Sequence, residues 1–337
     1  MDGLVEVESL TVINIIDNDT DFLSTAASTK DGSVTYQSEV AQHVARGDKT
    51  LNFPDFCCAA HGLSLLLTAV VGQQKRALLL DAGPCPQLWK DNAAKLGIDL
   101  SSVDSIVLSH YHADHSGGLS GAVPAIAAAR RAAGKGPVRV DLHRSRPDSR
   151  AIQLPSGSVL PLQPETPSFE DLQRLGGEVV LSQEPHILSD CFFVSGEIPR
   201  RTSYEKGLVG SKRLEDNDWR DDCDVDEERY VAVKVRGSGV VVFSSCSHAG
   251  IVNVCRHALD LAGVPLLAAM GGFHLGGTGL EERVSDTVQD LVKLQPKAIL
   301  PGHCTGWRAK TAMAQAMPDQ YIPALAGGRY VFAAAKL

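Results

Sequence analysis

The sequence predicts an α/β fold. Three features carry that expectation. In the last third of the chain, short apolar runs of strand length alternate with longer runs of helical periodicity. Upstream, residues 63–71 and 76–80 are apolar and are split by Gly72-Gln73-Gln74-Lys75, which reads as a hairpin. Residues able to do chemistry follow several of the short apolar runs, and strand ends are where α/β folds place their sites.

Taken in order, residues 4–16 alternate apolar and polar side chains and read as a strand that ends at Asp17-Asn18. Residues 19–52 are polar and read as a long loop or insertion. After the hairpin, Asp81-Ala82-Gly83-Pro84 closes the second strand. Residues 87–96 have helical periodicity with Gly97 as a stop, and 103–108 form a short buried strand. Residues 119–133 read as an alanine-rich helix stopped at Gly134, followed by a strand at 138–142. Residues 144–168, rich in Pro, Ser and Gly, read as loop. A short helix at 169–175 and short strands at 179–181 and 191–194 precede a second long polar segment, 200–228. Its run from 215 to 228, with nine acidic residues in fourteen, reads as a solvated loop; it lacks the turn pattern of a calcium loop. Strands at 229–235, 240–244, 266–270 and 298–300 then alternate with helices at 251–261, 280–294 and 305–316.

The composition narrows the function. In 337 residues, 44% are apolar, enough for a sizeable core, and only 5% are aromatic. The net charge is −8 with no basic stripe, which argues against a nucleic-acid partner. The first residues have neither a basic region nor an apolar core, and no apolar run reaches the length of a membrane span. The eight cysteines include no CxxC pair and read as free thiols of a reducing compartment. The expectation is a single cytoplasmic unit spanning 1–337, with polar insertions at about 19–52 and 200–228, acting on a small molecule; its oligomeric state is not legible.

The densest chemistry is His110-Tyr111-His112-Ala113-Asp114-His115, directly after the apolar run 105–109. The chain has eleven histidines, so three within six positions point to a shared task. Neutral imidazole and carboxylate are the usual protein ligands of zinc and similar divalent ions. The expectation is two adjacent ions, one on His110 and His112, the other on Asp114 and His115, with Ser116-Gly117-Gly118 turning the chain. His303, in Pro301-Gly302-His303-Cys304-Thr305-Gly306, is placed as a further ligand, and so is His248, in Ser244-Ser245-Cys246-Ser247-His248. Cys246 is either a ligand or a small buried side chain behind the ligands, and both it and His248 can be ligands only if that loop bends sharply. Asp81 is read as a carboxylate that orients a ligand. His274 is either a substrate contact or proton donor, or a structural histidine. Glu197 is followed by Arg200, which is either an anion clamp for substrate or part of a surface ion pair. His61 opens the hairpin and either faces the pocket or has no role.

These residues resemble the metallo-β-lactamase superfamily in their order and spacing. The resemblance rests on His110-x-His112-x-Asp114-His115, Leu79-Leu80-Asp81-Ala82-Gly83 and Pro301-Gly302-His303, and extends from about residue 60 to residue 310. His61-Gly62-Leu63-Ser64, Gly196 to Arg200, Cys246 to Gly250, Gly271 to His274 and His303 to Gly306 are similar to the branch of dihydropterin–ribofuranosyl-aminobenzene phosphate synthases. The resemblance implies an αββα four-layer sandwich with a dinuclear site at one edge. It carries over His110, His112, Asp114, His115 and His303 as ligands. Where the superfamily usually has a histidine this chain has Glu197, and where it has a bridging aspartate this chain has Cys246.

The function expected from the sequence is a dinuclear metal-dependent hydrolase. Zinc is the first expectation for both ions, with manganese or iron also compatible. A metal-bound hydroxide would attack a small anionic phosphoester or an ester or lactone, with Asp114 and His274 as the groups nearest the chemistry. The alternatives are a synthase-like condensing enzyme, or a non-catalytic ligand-binding protein on the same scaffold. Retention of all six candidate ligands argues against the last.

Overall fold

The computed structural model describes residues 1–162 and 167–335. Two large sheets lie face to face, and helices cover their outer faces. The first sheet has nine strands, in the order Gly177–Ser182, Val138–His143, Ser105–Val107, Gln74–Leu80, Ser64–Val71, Ser9–Ile16, Arg329–Ala333, Val34–Gln37, Ala27–Ser28. The second has six, in the order His186–Leu188, Phe192–Val194, Val231–Val235, Gly239–Ser244, Leu266–Gly272, Ala298–Gly302. Each sheet joins an antiparallel portion to a parallel one, and the parallel strands run into the loops that carry the clustered histidines.

The layers follow from what each strand buries. Leu10, Val12, Leu65, Leu67, Leu78 and Leu80 from the first sheet meet Val231, Val233, Val241, Phe243 and Met270 from the second in one apolar cluster. The outer face of the first sheet buries Leu66, Leu79, Ile106 and Val140 against Trp89, Ala93, Leu119, Val123 and Ile126 of helices Pro86–Lys95 and Leu119–Ala132. The outer face of the second sheet buries Ala232, Val242, Ala269 and Ile299 against Ile251, Cys255, Leu291 and Met313 of helices Ile251–Ala262, Val284–Lys293 and Trp307–Ala316. A strand buried on both faces reads as a near-continuous apolar run, and Gly239–Ser244 and Leu266–Gly272, buried at every position, do so apart from Ser244. The order is helix, sheet, sheet, helix, as the αββα expectation required.

Three stretches expected as loop carry structure. Within 19–52, strands Ala27–Ser28 and Val34–Gln37 extend the edge of the first sheet, and Ser38 caps helix Glu39–Arg46 by accepting from the Ala41 N–H. Within 144–168 and 200–228, strands Ser149–Gln153, Val159–Pro161, Ser211–Glu215 and Asp218–Asp221 build a third, four-stranded sheet. Its core pairing joins Ser211–Glu215 to Ser149–Gln153, about sixty residues away, which periodicity within either segment cannot register. The C-terminal strand Arg329–Ala333 pairs with Ser9–Ile16. Among the described residues no helix is long and apolar enough to cross a membrane.

Candidate metal centre

The strand Ser105–Val107 ends just before His110, and His112 sits in extended conformation at the start of the short helix Ala113–Ser116. Gly117 and Gly118 let this segment pack against the closing turn of the hairpin. A side chain on Gly118 would strike the backbone of Ala82, and one on Gly117 the backbone of Pro84. Their φ values are −60° and −76°, so these glycines serve close approach and not an unusual turn.

Three ring nitrogens converge. His110 Nε2 lies 3.0 Å from His112 Nδ1, and His248 Nε2 lies 3.2 Å and 3.1 Å from those two atoms. A tetrahedral zinc with bonds near 2.0–2.1 Å separates its nitrogen ligands by about 3.3 Å, so this spacing suits one ion. Burial, the largest cause, together with the neighbouring cations, holds all three rings well below the usual imidazole range. They are therefore neutral donors whose lone pairs could hold an ion.

A second group stands beside the first. Asp114 Oδ2 lies 3.3 Å from His303 Nε2 and 3.7 Å from His115 Nε2, and the two ring nitrogens are 3.2 Å apart. Against the cost of burial, His115 and His303 hold the Asp114 carboxyl well below its ordinary range. Burial would depress His303 too, but Cys304 and Asp114 raise it to about 10. The site thus favours a positive charge at this spot, which is where a cation would sit.

Neighbouring side chains set which nitrogen of each ring faces inward. Asp81 Oδ2 takes the Nδ1 side of His115 at 2.8 Å and the hydroxyl of Ser109 at 2.7 Å. Ser109 Oγ, having donated to Asp81, accepts from His110 Nδ1 at 2.9 Å. Asn18 Oδ1 accepts from His303 Nδ1 at 3.0 Å. In each case the partner takes the Nδ1 side of the ring, so Nε2 is the nitrogen directed into the site. Asp81 adopts φ +58°, consistent with a role beyond a plain turn.

The loop after Gly239–Ser244 bends as sharply as the sequence condition demanded, with Ser247 at φ +62°. Cys246 Sγ therefore falls in with His110 and His248 on one side and with His115 and His303 on the other, the donor atoms of each group lying within 4.8 Å of one another. Of the two positions the sequence left open for Cys246, a ligand or a small side chain behind the ligands, the structure has Sγ between the two groups. His274 Nδ1 is 3.4 Å from Cys246 Sγ, and its ring packs on His248 at 4.3 Å between centroids. His61 Nε2 lies 3.4 Å from Asp114 Oδ2, with 67% of its side chain exposed, so it stands at the mouth.

The groups open into a cavity of about 410 Å³ lined by His61, His112, Asp114, Cys246, His248, His274 and Cys304. Pro84, Ile152, Leu162 and Leu208 give the same cavity an apolar lining, partly from beside the four-stranded sheet. No lysine or arginine lines it among the described residues.

Glu197 and Arg200 are not brought into this cavity. They line a separate hollow of about 160 Å³ with Asp224, Asp226 and Glu228. The Arg200 guanidinium donates to the carbonyl of His248 at 3.1 Å and to that of Asp224, and pairs with the Asp224 carboxylate at 3.4 Å. It braces the back of the His248 loop, drawn there by the acidic run.

That acidic run is also not wholly solvated. Asp222, Glu227 and Glu228 are buried. Glu228 accepts the backbone N–H groups of His248 and Ala249, both at 2.8 Å, and burial pushes its carboxyl up against their pull. Asp222 and Glu227 pair with Arg150, whose Nη1 also lies 3.4 Å from His112 Nε2. Asp17 accepts the His303 N–H at 2.7 Å. The sequence reading missed Glu228, Arg150, Asp17, Asn18 and Cys304. A turn-like Asp-Asn at a strand end was the only local signal for Asp17 and Asn18.

A sequence profile of the metallo-β-lactamase superfamily matches residues 65–202. The chain is 31% identical over 265 residues to the 7,8-dihydropterin-6-methyl-4-(β-D-ribofuranosyl)-aminobenzene-5′-phosphate synthase of Methanocaldococcus jannaschii, covering 77% of this chain and 86% of that one. It is 26% identical over 265 residues to an uncharacterised protein of the same organism, covering 76% of this chain and 88% of the other. Among solved structures, Tm1679, described as a metal-dependent hydrolase of the β-lactamase superfamily, superposes with a TM-score of 0.67 at 19% identity, covering 95% of this chain and 98% of that one. At that identity the likeness speaks for the fold.

Proposed function

Because the chain belongs to the metallo-β-lactamase superfamily, we propose that it is a metal-dependent enzyme whose reaction joins an aromatic amine to a carbon bearing a leaving group. Two divalent ions would be held by His110, His112 and His248 and by Asp114, His115 and His303, with Cys246 between them. Bound there, such ions supply Lewis acidity toward an oxygen and lower the pKa of a water. The observation that carries the synthase reading is the 31% identity over 265 residues to an enzyme whose name describes a dihydropterin linked through a methyl carbon to an aminobenzene.

The cavity fits that reading in one respect. Pro84, Ile152, Leu162 and Leu208 offer an uncharged surface to a flat ring. His61 has a defined role in it. Asn18 Oδ1 accepts from Gly62 N–H and faces His303 Nδ1, so the Asn18 amide Nδ2 donates to His61 Nδ1 at 2.9 Å. Partial desolvation at the mouth, and then His303 close by, lower the His61 pKa from its usual value. The ring proton is then on Nε2, which points into the cavity mouth and stands to donate to a departing oxygen.

A hydrolase uses the same residues with water in place of the amine, and the two convergent ligand groups suit it equally. The experiment separates them. The purified protein, loaded in turn with zinc, manganese and iron, is given a 6-methylene-activated dihydropterin with 4-(β-D-ribofuranosyl)aminobenzene 5′-phosphate. In parallel it is given phosphodiesters, phosphomonoesters and lactones. The expected result is a coupled product identified by mass. Turnover of the esters or lactones alone would return the chain to the hydrolase reading.

A further inference from the structure

Three parallel strand ends put a third set of donors in one place, sharing only Cys246 with the two histidine groups. Cys246 follows Gly239–Ser244, His274 follows Leu266–Gly272, and Cys304 follows Ala298–Gly302. Cys246 Sγ lies 3.2 Å from Cys304 Sγ and 3.4 Å from His274 Nδ1, and the three donor atoms are all within 4.8 Å of one another. All three side chains line the cavity. The loops that present them hold non-glycine residues in the left-handed region, at Ser247 (φ +62°), His274 (φ +48°) and His303 (φ +42°). Such conformations persist where the surroundings over-determine them, and they cluster at functional sites. The His274 Nε2 atom is buried and has no hydrogen-bond partner among the described residues.

Two thiols in contact gain little from each other, since S–H is a weak donor and sulfur a weak acceptor. Two sulfurs and one imidazole in this compass make a ligand set for a thiophilic ion. With Zn–S bonds near 2.3 Å and Zn–N near 2.0–2.1 Å, a tetrahedral ion spaces its sulfurs by about 3.8 Å and a sulfur and nitrogen by about 3.6 Å. The observed spacings fall short of these by about 0.6 Å and 0.2 Å, which small χ1 rotations of the cysteines supply. We propose that Cys246, Cys304 and His274 form a thiolate–imidazole site for a zinc-class divalent cation on the cavity side of the centre. Cys246 is shared with the histidine groups. This site would tie the centre to thiophilic ions, because thiolate discriminates against hard ions such as manganese. It would also place Cys304 within reach of whatever occupies the cavity.

The test uses the full chain, reduced, stripped of metal by chelation and titrated with cadmium under inert gas. Sulfur-to-cadmium charge-transfer absorbance should rise to saturation in the native protein and fall to about half in Cys304→Ser, one of two thiolate ligands being gone. It should be absent in Cys246→Ser/Cys304→Ser, and manganese should give no such band. Full absorbance in Cys304→Ser would overturn the site and leave Cys246 to the histidine groups alone. A second measurement needs no variant. Bound zinc should protect Cys304 from a thiol-alkylating reagent, read by peptide mass. Equal labelling of Cys304 with and without zinc would overturn the proposal. So would two missing thiols in the denatured, unreduced protein that return on reduction, since the pair would then be a disulfide.

Discussion

Glu228 is the residue on which the geometry makes its sharpest demand. It is buried, and its two carboxylate oxygens accept the backbone N–H groups of His248 and Ala249, each at 2.8 Å. Those bonds fix the loop that aims His248 Nε2 at His110 and His112. A hydrogen bond to a charged group contributes about 1.5–3 kcal/mol. Glu228→Gln keeps the shape and one acceptor, but turns an amide NH₂ toward the other N–H. It should cost about 1.5–3 kcal/mol of stability, the equivalent of one lost bond. Glu228→Ala leaves both N–H groups unpartnered and should cost about twice that. Residues that orient a ligand typically change metal affinity by about 10–100-fold. The Gln variant should therefore hold the His110–His112–His248 ion at least about tenfold more weakly in a competition with a chromophoric chelator. Melting curves would establish that the protein remains folded. A Gln variant that melts lower but binds the ion as tightly as the native chain would refute the argument, because Glu228 would then support the fold without setting the ligand.

Three further outcomes follow from other contacts. Asp81→Asn tolerates the left-handed backbone at this position but exchanges a carboxylate for an amide beside His115 Nδ1, so the second ion should bind about 10–100-fold more weakly, and the first, which Asp81 reaches only through Ser109 and His110, should lose less; equal loss of both ions would contradict this. Arg200→Ala should leave KM for a turned-over substrate within about threefold, under about 0.7 kcal/mol, because Arg200 contacts His248 and Asp224 behind the cavity; a tenfold rise would restore it as a substrate clamp. His143 is brought down to about 4 by burial and then by Arg229, and accepts the Ser145 N–H at 3.1 Å. A base with a depressed folded pKa contributes stability above its unfolded value near 6.5 and loses it as pH falls toward 4, with solvent contact keeping the slope below about 1.4 kcal/mol per pH unit. His143→Gln should therefore flatten the acid side of the melting-temperature profile between pH 6.5 and 4, and an unchanged profile would count against this assignment.

The parts legible in the sequence were those whose causes are local. The strands buried on both faces read as uninterrupted apolar runs, and the helices carried their own periodicity and stops. The HxHxDH cluster was visible because six consecutive residues hold four candidate ligands. His248 and His303 were found because each follows a short apolar strand. The four-stranded sheet was not legible, since Ile152 pairs with Ser211 far along the chain and the pattern is inverted, with Arg150 and Arg213 buried and Ile152 and Leu160 exposed. Glu228 was hidden in a run of acids, where nothing local separates a buried carboxylate from its solvated neighbours. Arg200 misled for a related reason. An arginine near a site is drawn to the nearest carboxylate and carbonyls, and here these are Asp224 and the back of the His248 loop.

The acidic run and the third sheet turn out to be one device. Arg150, on strand Ser149–Gln153, is buried between Asp222 and Glu227 and reaches to His112 Nε2. Glu227 in turn accepts the N–H of Tyr111, between His110 and His112, at 3.3 Å. Arg213, on the neighbouring strand, faces the same two carboxylates at 3.7 Å and 3.8 Å. Removing one partner of a buried ion pair leaves an uncompensated charge and costs about 3–5 kcal/mol. The network therefore cannot open piecemeal without a large loss. The same strands carry Ile152 and, just before Ser211, Leu208, so the apolar wall of the cavity is fastened to the loop that bears two metal ligands. A wall held in this way is set in place before substrate arrives. Binding then spends little on ordering it, and its shape acts directly on which ring can lie opposite the metal centre.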